Sequence, residues 1–224
     1  MLLNEDLSRR TIVHAAEASW VASPSAGVER RMLFRIGAEQ ARATSIVRYA
    51  PGSRFPRHLH PGGEEFLVLE GVFQDERGDY PAGAYVRNPP ASAHAPGSDT
   101  GCIIFVKLWQ FRRDDVACVT VPPGEGRMRP PAEGQQTSRV LFDDTHEEVR
   151  LDTWPAHAPL HLHNPRGLEG LVLHGDFMQD GERFSPWTWL RLPPGEDLRA
   201  HSGPEGATLW LKSAPLMHAT VCTF

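Results

Sequence analysis

The sequence predicts an all-β protein built as two tandem domains, and three observations predict it. Runs such as Val28–Arg35, Ala43–Tyr49 and Cys102–Trp109 are β-prone, and no segment sustains a helical period. Gly and Pro number 20 each among 224 residues, which favours many turns over long helices. Features of the first half also recur in the second at an offset that stays between 103 and 108.

The elements follow in order. Residues 1–20 read as a short arm, with a strand over Thr11–His14 and a brief helical turn over Ala15–Ala18. After a Ser23–Gly27 loop come the strands Val28–Arg35 and Ala43–Tyr49, and Ala50–Ser53 turns the chain. His58–His60 and Glu65–Leu69 form two strands around Pro61-Gly62-Gly63. Val72–Tyr80 reads as a hairpin turning at Glu76–Asp79; the strand Ala84–Arg87 then ends at Asn88-Pro89-Pro90, shortly before His94. The Pro/Gly-rich stretches Pro122–Gly126 and Pro130–Gly134 read as a linker and an entry loop, dividing the chain into domains 1–122 and 123–224.

The second domain answers the first. Arg139–Phe142 matches Arg31–Phe34, and Pro159–His163 matches Pro56–His60. Leu171–Gly175 matches Leu67–Gly71, Arg191–Pro194 matches Arg87–Pro90, and Gly206 with Leu211-Lys212 matches Gly101 with Val106-Lys107. One offset held across separate features indicates an internal duplication, each copy needing a closed or double-layered core to cover its sheet edges.

Composition narrows function. A net charge of −5 favours neither nucleic acid nor an anionic membrane as partner. Three cysteines (Cys102, Cys118, Cys222) without a CxxC suit a reduced, cytoplasmic setting, and the first residues do not resemble a signal peptide. Cys102 and Cys222 read as small buried residues. Eleven histidines is a rich allotment. His58 and His60, at i and i+2 on a strand, point to one face; the Gly-Gly turn brings Glu64 beside them, and His94 supplies a third imidazole. Three imidazoles and a carboxylate suit zinc, iron(II), manganese(II) or nickel(II) in a site with open positions.

Gly52, His58-Leu59-His60, Glu64 and Gly71 fit the pattern G-x5-HxH-x3-E-x6-G, and Pro81-Ala82-Gly83 with His94 follows downstream. The segment resembles the two cupin motifs, and more narrowly the cupin domain of ChrR-type anti-sigma factors, over roughly residues 20–110. The resemblance implies a double-stranded β-helix (jelly-roll) fold in each domain and a metal, zinc by analogy, on His58, His60, Glu64 and His94. In that family the cupin domain transmits an oxidative signal. A ChrR factor begins with a helical zinc-binding domain that grips the sigma factor; none is read here, so a sigma factor is not an expected partner. Glu65 is expected on the opposite strand face, in solvent or behind the ligands. Phe66 and Val68 are expected as an apolar pocket wall, and Tyr85 and Arg87 as packing or pocket residues.

A second candidate site comprises His161, His163, Glu169 and His201. Counting back from Gly175 puts Leu168 in the place of Glu64 and Glu169 in that of Glu65, so this copy keeps a carboxylate only if a bulge turns Glu169 inward. Otherwise it is a scaffold for the first copy. His157 and His174 read as ordinary surface or pocket residues. Two functions remain open: a metal-binding module for sensing or for a small ligand, and a metal-dependent enzyme of the dioxygenase, isomerase or hydrolase class. A storage-type structural bicupin is a third reading, and a homodimer is compatible with each.

Overall fold

The computed structural model describes residues 1–38 and 40–223 and is all-β among them, with every strand pair antiparallel. No helix is long and apolar enough to cross a membrane. The chain divides into two compact units. The first comprises Met1–Glu5, Ser19–Glu125 and the end of the chain from Met217; the second comprises Asp6–Ala18 and Gly126–Leu216. The main passage between them thus falls beside the Pro122–Gly126 linker.

Each unit is organised on one long sheet. In the first, the order is Leu2–Leu3, Val28–Gly37, Ala41–Tyr49, Cys102–Leu108, Glu64–Asp75, Tyr85–Asn88, Val119–Val121. In the second it is Arg127–Arg129, Thr137–Asp143, Glu148–Trp154, Leu198–Ser213, Leu168–Gln179, Thr188–Leu192, Thr11–His14. The two orders correspond strand for strand, so the repeated sequence is a repeated topology. The last position differs in origin. Val119–Val121 pairs with Tyr85–Asn88 in the first unit, whereas Thr11–His14, from the start of the chain, pairs with Thr188–Leu192 in the second. Either strand satisfies an edge that would otherwise expose its backbone groups. In the first unit, Cys222 N–H donates to Phe111 O at 3.0 Å, which fastens the chain end.

The long strand of each unit bends at one place. The ladder to its neighbour shifts between Ile103 and Ile104 opposite Leu69, and between Val172 and His174 at Leu173. Two residues later stand Gly71 (φ +70°) and Gly175 (φ +63°). A Cβ there would lie 2.2 Å from Gly101 O and 2.0 Å from Gly206 O. Left-handed backbone and close approach of a second strand together demand glycine, which accounts for the repeated pair Gly71 and Gly175.

The cores are separate. Val47, Phe66, Val68, Phe73, Ile104 and Val106 are buried in the first unit. Leu160, Leu162, Leu168, Val172, Leu192 and Leu198 are buried in the second. The Glu64–Asp75 strand runs unbroken for 12 residues, and its hairpin to Gly78–Pro81 turns more tightly than Glu76–Asp79, with Asp75 opposite Gly78. Ala15–Ala18 makes a single turn and no helix, Ala18 N–H donating to Ala15 O at 3.2 Å.

Candidate metal centre

A two-stranded ladder assembles the histidines. His58–His60 pairs with Ser92–His94, placing His94 directly opposite His58 and Ala93 opposite Leu59. Alternation then puts the three imidazoles on one side and leaves Leu59 exposed on the other. Their rings are 4.8 Å (His58–His60), 4.9 Å (His60–His94) and 5.4 Å (His58–His94) apart between centroids. The Pro61-Gly62-Gly63 turn returns the chain, Gly63 N–H bonding His60 O at 3.1 Å. A Cβ on Gly62 would lie 2.2 Å from the Trp109 ring, so glycine lets that indole close over the turn.

Glu64 opens the next strand on the same face and is buried. Its Oε2 lies 3.4 Å from His94 Nε2 and 3.7 Å from His60 Nε2, and accepts from Asn88 Nδ2 at 3.3 Å. His60 Nε2 and His94 Nε2 are 3.0 Å apart. Donors held about 2.1 Å from one ion stand about 3 Å apart when the angle at the ion is near 90°. The His60–His94 pair therefore has the spacing of two donors on one ion, and with His58 and Glu64 beside it the set has the chemistry of a divalent site: imidazoles, one carboxylate, no thiolate.

Outer partners orient two of the rings. His94 Nδ1 lies 3.2 Å from Asp75 Oδ2, and Asp75 also accepts Tyr80 O–H at 3.1 Å and Arg77 N–H at 2.8 Å. His58 Nδ1 lies 3.1 Å from Pro56 O. Protons on both Nδ1 atoms leave both Nε2 lone pairs for a metal, the arrangement of carboxylate–histidine–metal sites. Burial lowers the His60 pKa, against the Glu64 charge. Burial also works to lower that of His94, but the Asp75 hydrogen bond and the Glu64 charge outweigh it, and the net shift is upward. Burial works to raise the Asp75 pKa, and the bonds from His94, the Arg77 amide and Tyr80 bring it net below its ordinary value.

Above the histidines opens a cavity of about 480 Å³, within the range of small-molecule sites. Val28, Val47, Phe55, Ile104, Val106, Leu108 and Trp109 make its wall apolar; Arg30, Tyr49 and Glu64 contribute polar groups. Phe66 and Val68, expected as the wall, instead pack deeper: the Phe66 ring lies tilted against Phe73, 4.7 Å between centroids, within the core. Burial, then the nearby Glu64 charge, raises the Tyr49 pKa well above the ordinary phenol value. Asp75, Asn88 and Tyr49 belong to no spacing pattern; only the fold brings them here.

Tyr85 and Arg87 are not cavity residues. Together with Glu65 they sit buried on the opposite face of the sheet, so Glu65 is neither solvated nor behind the ligands. Tyr85 O–H donates to Glu65 Oε1 at 2.5 Å, and Arg87 forks onto Asp115 at 2.9 and 2.8 Å. The second unit repeats this cluster. Glu169 stands opposite Arg191 and Lys212 as Glu65 stands opposite Arg87 and Lys107. Trp189 Nε1–H donates to Glu169 Oε2 at 3.3 Å.

The second candidate set is not brought together. In that ladder His201 lies opposite Pro159, and Leu160 lies opposite Ala200. The register is one residue out of phase with the first unit, so Leu160, Leu162 and Ala200 face the core while His161, His163 and His201 are exposed. Leu168 takes the position of Glu64, and Glu169 lies on the far face with Trp189. His161 and His163 share Asp197 instead, at 3.3 and 3.0 Å. His157 and His174 are exposed. Among the described residues the metal-capable cluster is that of His58, His60 and His94. A His161→Ala/His163→Ala/His201→Ala variant is accordingly expected to keep the wild-type metal content by elemental analysis; a fall by half would refute this assignment.

Cys102 and Cys222 are buried, as expected, and burial pushes the Cys102 thiol up to about 11; Cys118 is exposed, and none of the three joins the histidine cluster.

No curated protein matches the sequence. The ChrR Cupin-like domain family matches residues 8–112. Among solved structures, a putative dioxygenase from Nostoc punctiforme superposes with a TM-score of 0.72 at 14% identity, covering 97% of this chain and 87% of that one. The bacterial pirin YhhW from Escherichia coli, in complex with nickel(II), gives 0.64 at 14% identity, covering 92% and 100%. Ylba from E. coli gives 0.70 at 10% identity, covering 96% and 94%. The chain is thus similar to the ChrR Cupin-like domain family over residues 8–112, and as a whole it shares the duplicated antiparallel β fold of these solved structures.

Proposed function

We propose that the first unit binds one first-row divalent metal ion through His58, His60, His94 and Glu64, and holds a small molecule in the cavity above it. The observation that carries this reading is the convergence of three imidazole nitrogens, all within 4.8 Å of one another, with a buried carboxylate at the foot of an open, largely apolar cavity. Zinc, which the ChrR resemblance implies, and nickel, which the YhhW structure contains, both suit these donors. When bound, the ion supplies Lewis acidity toward an oxygen of the ligand. The protein's own groups do the rest. Asp75 holds the Nδ1 proton of His94, Asn88 holds Glu64, and the apolar wall excludes water. Tyr49 keeps its proton and can donate a hydrogen bond into the cavity.

The test is elemental analysis of purified protein. About one ion per chain is expected; a protein that takes up none of zinc, nickel, iron(II) or manganese(II) would be incompatible with the reading. Asp75→Asn is expected to weaken metal affinity about 10- to 100-fold, by removing the group that fixes the His94 tautomer. Titration with a competing chelator reads this, and unchanged affinity would deny Asp75 its orienting role.

A second reading, a metal-dependent oxygenase, is favoured by the protonated Tyr49 hydroxyl beside an open cavity and by the likeness to the Nostoc punctiforme structure. Oxygen uptake by the iron(II)-loaded protein in the presence of substrate separates it from pure ligand binding.

A further inference from the structure

The cavity contains a cation that no group among the described residues neutralises. Arg30 lies on the Val28–Gly37 strand opposite Val47, and Val28, Arg30 and Val47 all line the cavity. Its sequence neighbours serve other contacts: Glu29 accepts from Arg48 Nε at 3.0 Å, and the Arg31 guanidinium lies 4.3 Å from the Trp20 ring centroid. Arg30 is half-buried, yet among the described residues its guanidinium has no hydrogen bond and no ion pair. A guanidinium drawn partly out of water and left unpaired is a standing invitation to an anion. Its planar fork matches a carboxylate in two parallel bonds.

Charge accounting points the same way. Glu64 is the one carboxylate among the lining residues, and it faces the histidines. Three neutral imidazoles and one carboxylate leave a divalent ion with a single net positive charge. Arg30 adds a second, with no further acid among the described lining residues. Much of the remaining lining is apolar, with Phe55, Ile104, Val106, Leu108 and Trp109, which suits hydrocarbon better than a small inorganic anion.

We infer that the ligand is an organic carboxylate with an apolar body, its carboxylate held by Arg30. This rests on the proposed role of the cavity as the ligand site, and gives that site a substrate class. Arg30 thereby selects acids over neutral molecules of the same shape.

The test uses matched acid–amide pairs: hexanoate with hexanamide, and phenylacetate with phenylacetamide. Each is titrated calorimetrically into the full-length protein, both metal-loaded and stripped with a chelator, with inorganic phosphate as a further arm. At least one acid is expected to bind about tenfold more tightly than its amide. Arg30→Gln should abolish the difference, and Arg30→Lys should keep part of it. Metal content measured on the same samples is expected to be unchanged in Arg30→Gln, which shows that the fold and the histidine cluster survive. The preference for acids is expected to persist in stripped protein, so a failed metal assignment and a failed carboxylate assignment read differently. Acid and amide binding equally, no saturable binding of any acid, phosphate binding without preference for the acids, or a preference that survives Arg30→Gln would each overturn the inference.

Discussion

His94→Ala is expected to empty the metal site. The side chain is buried, faces His60 Nε2 at 3.0 Å and is oriented by Asp75. Losing an outer partner of a ligand typically costs about 10- to 100-fold in affinity, so losing the ligand itself should cost more than about 100-fold. His60→Ala should behave likewise. A second readout separates loss of metal from loss of fold. Excess metal at about 1,000 times Kd adds about 4 kcal/mol to the stability of a protein that binds it only when folded. The wild-type midpoint of thermal unfolding should therefore rise when metal is added, and that of His94→Ala should not move. The metal-free variant should itself be destabilised by about 1–3 kcal/mol, because Asp75 is left buried with one partner fewer. Full metal retention by either histidine variant would end the assignment.

The first site was legible because strand parity and ligand spacing coincide. In Pro56–Pro61 the apolar Leu59 is alone between two histidines, and it is this residue that the fold exposes. Glu64 and His94 were legible through the turn and the proline pair that flank them. The second copy was ambiguous in a specific way. Pro159-Leu160-His161-Leu162-His163 alternates perfectly, so it can be read in either phase, and two leucines outweigh two histidines for a place in the core. The HxH spacing is identical in both copies; the register of the ladder is not, and register is a property of the partner strand. The repeated Arg87/Arg191 and Lys107/Lys212 pairs served to align the halves. Their cause, a buried acid–base cluster on the outer face of each sheet, needed coordinates. So did the pairing of Thr11–His14 with Thr188–Leu192, since a four-residue strand carries no address for its partner.

Leu168→Glu tests that register directly. Leu168 occupies in the second unit the place that Glu64 holds in the first: it opens the long strand, opposite Leu192 where Glu64 faces Asn88. Glu64 is tolerated because His60, His94 and Asn88 receive its charge. A carboxylate at 168 would meet Leu160, Leu162, Leu192 and Leu198. An uncompensated buried charge costs several kcal/mol, and about 4 kcal/mol is expected at pH 8. The pH dependence has a definite sign. Burial raises the folded-state pKa of the new carboxyl above the ordinary value of about 4.3, so the folded state holds its proton while the unfolded state releases it. Relative to wild type, the variant should lose stability as pH rises from about 4, levelling only above the raised folded pKa. Denaturant unfolding at pH 5 and pH 8 measures this. Added zinc or nickel should not rescue it, because Leu160, Leu162 and Ala200 offer no donor where His58, His60 and His94 stand in the other copy. A variant as stable as wild type at pH 8, or one that acquires a second equivalent of metal, would show that the histidines of the second copy turn inward after all.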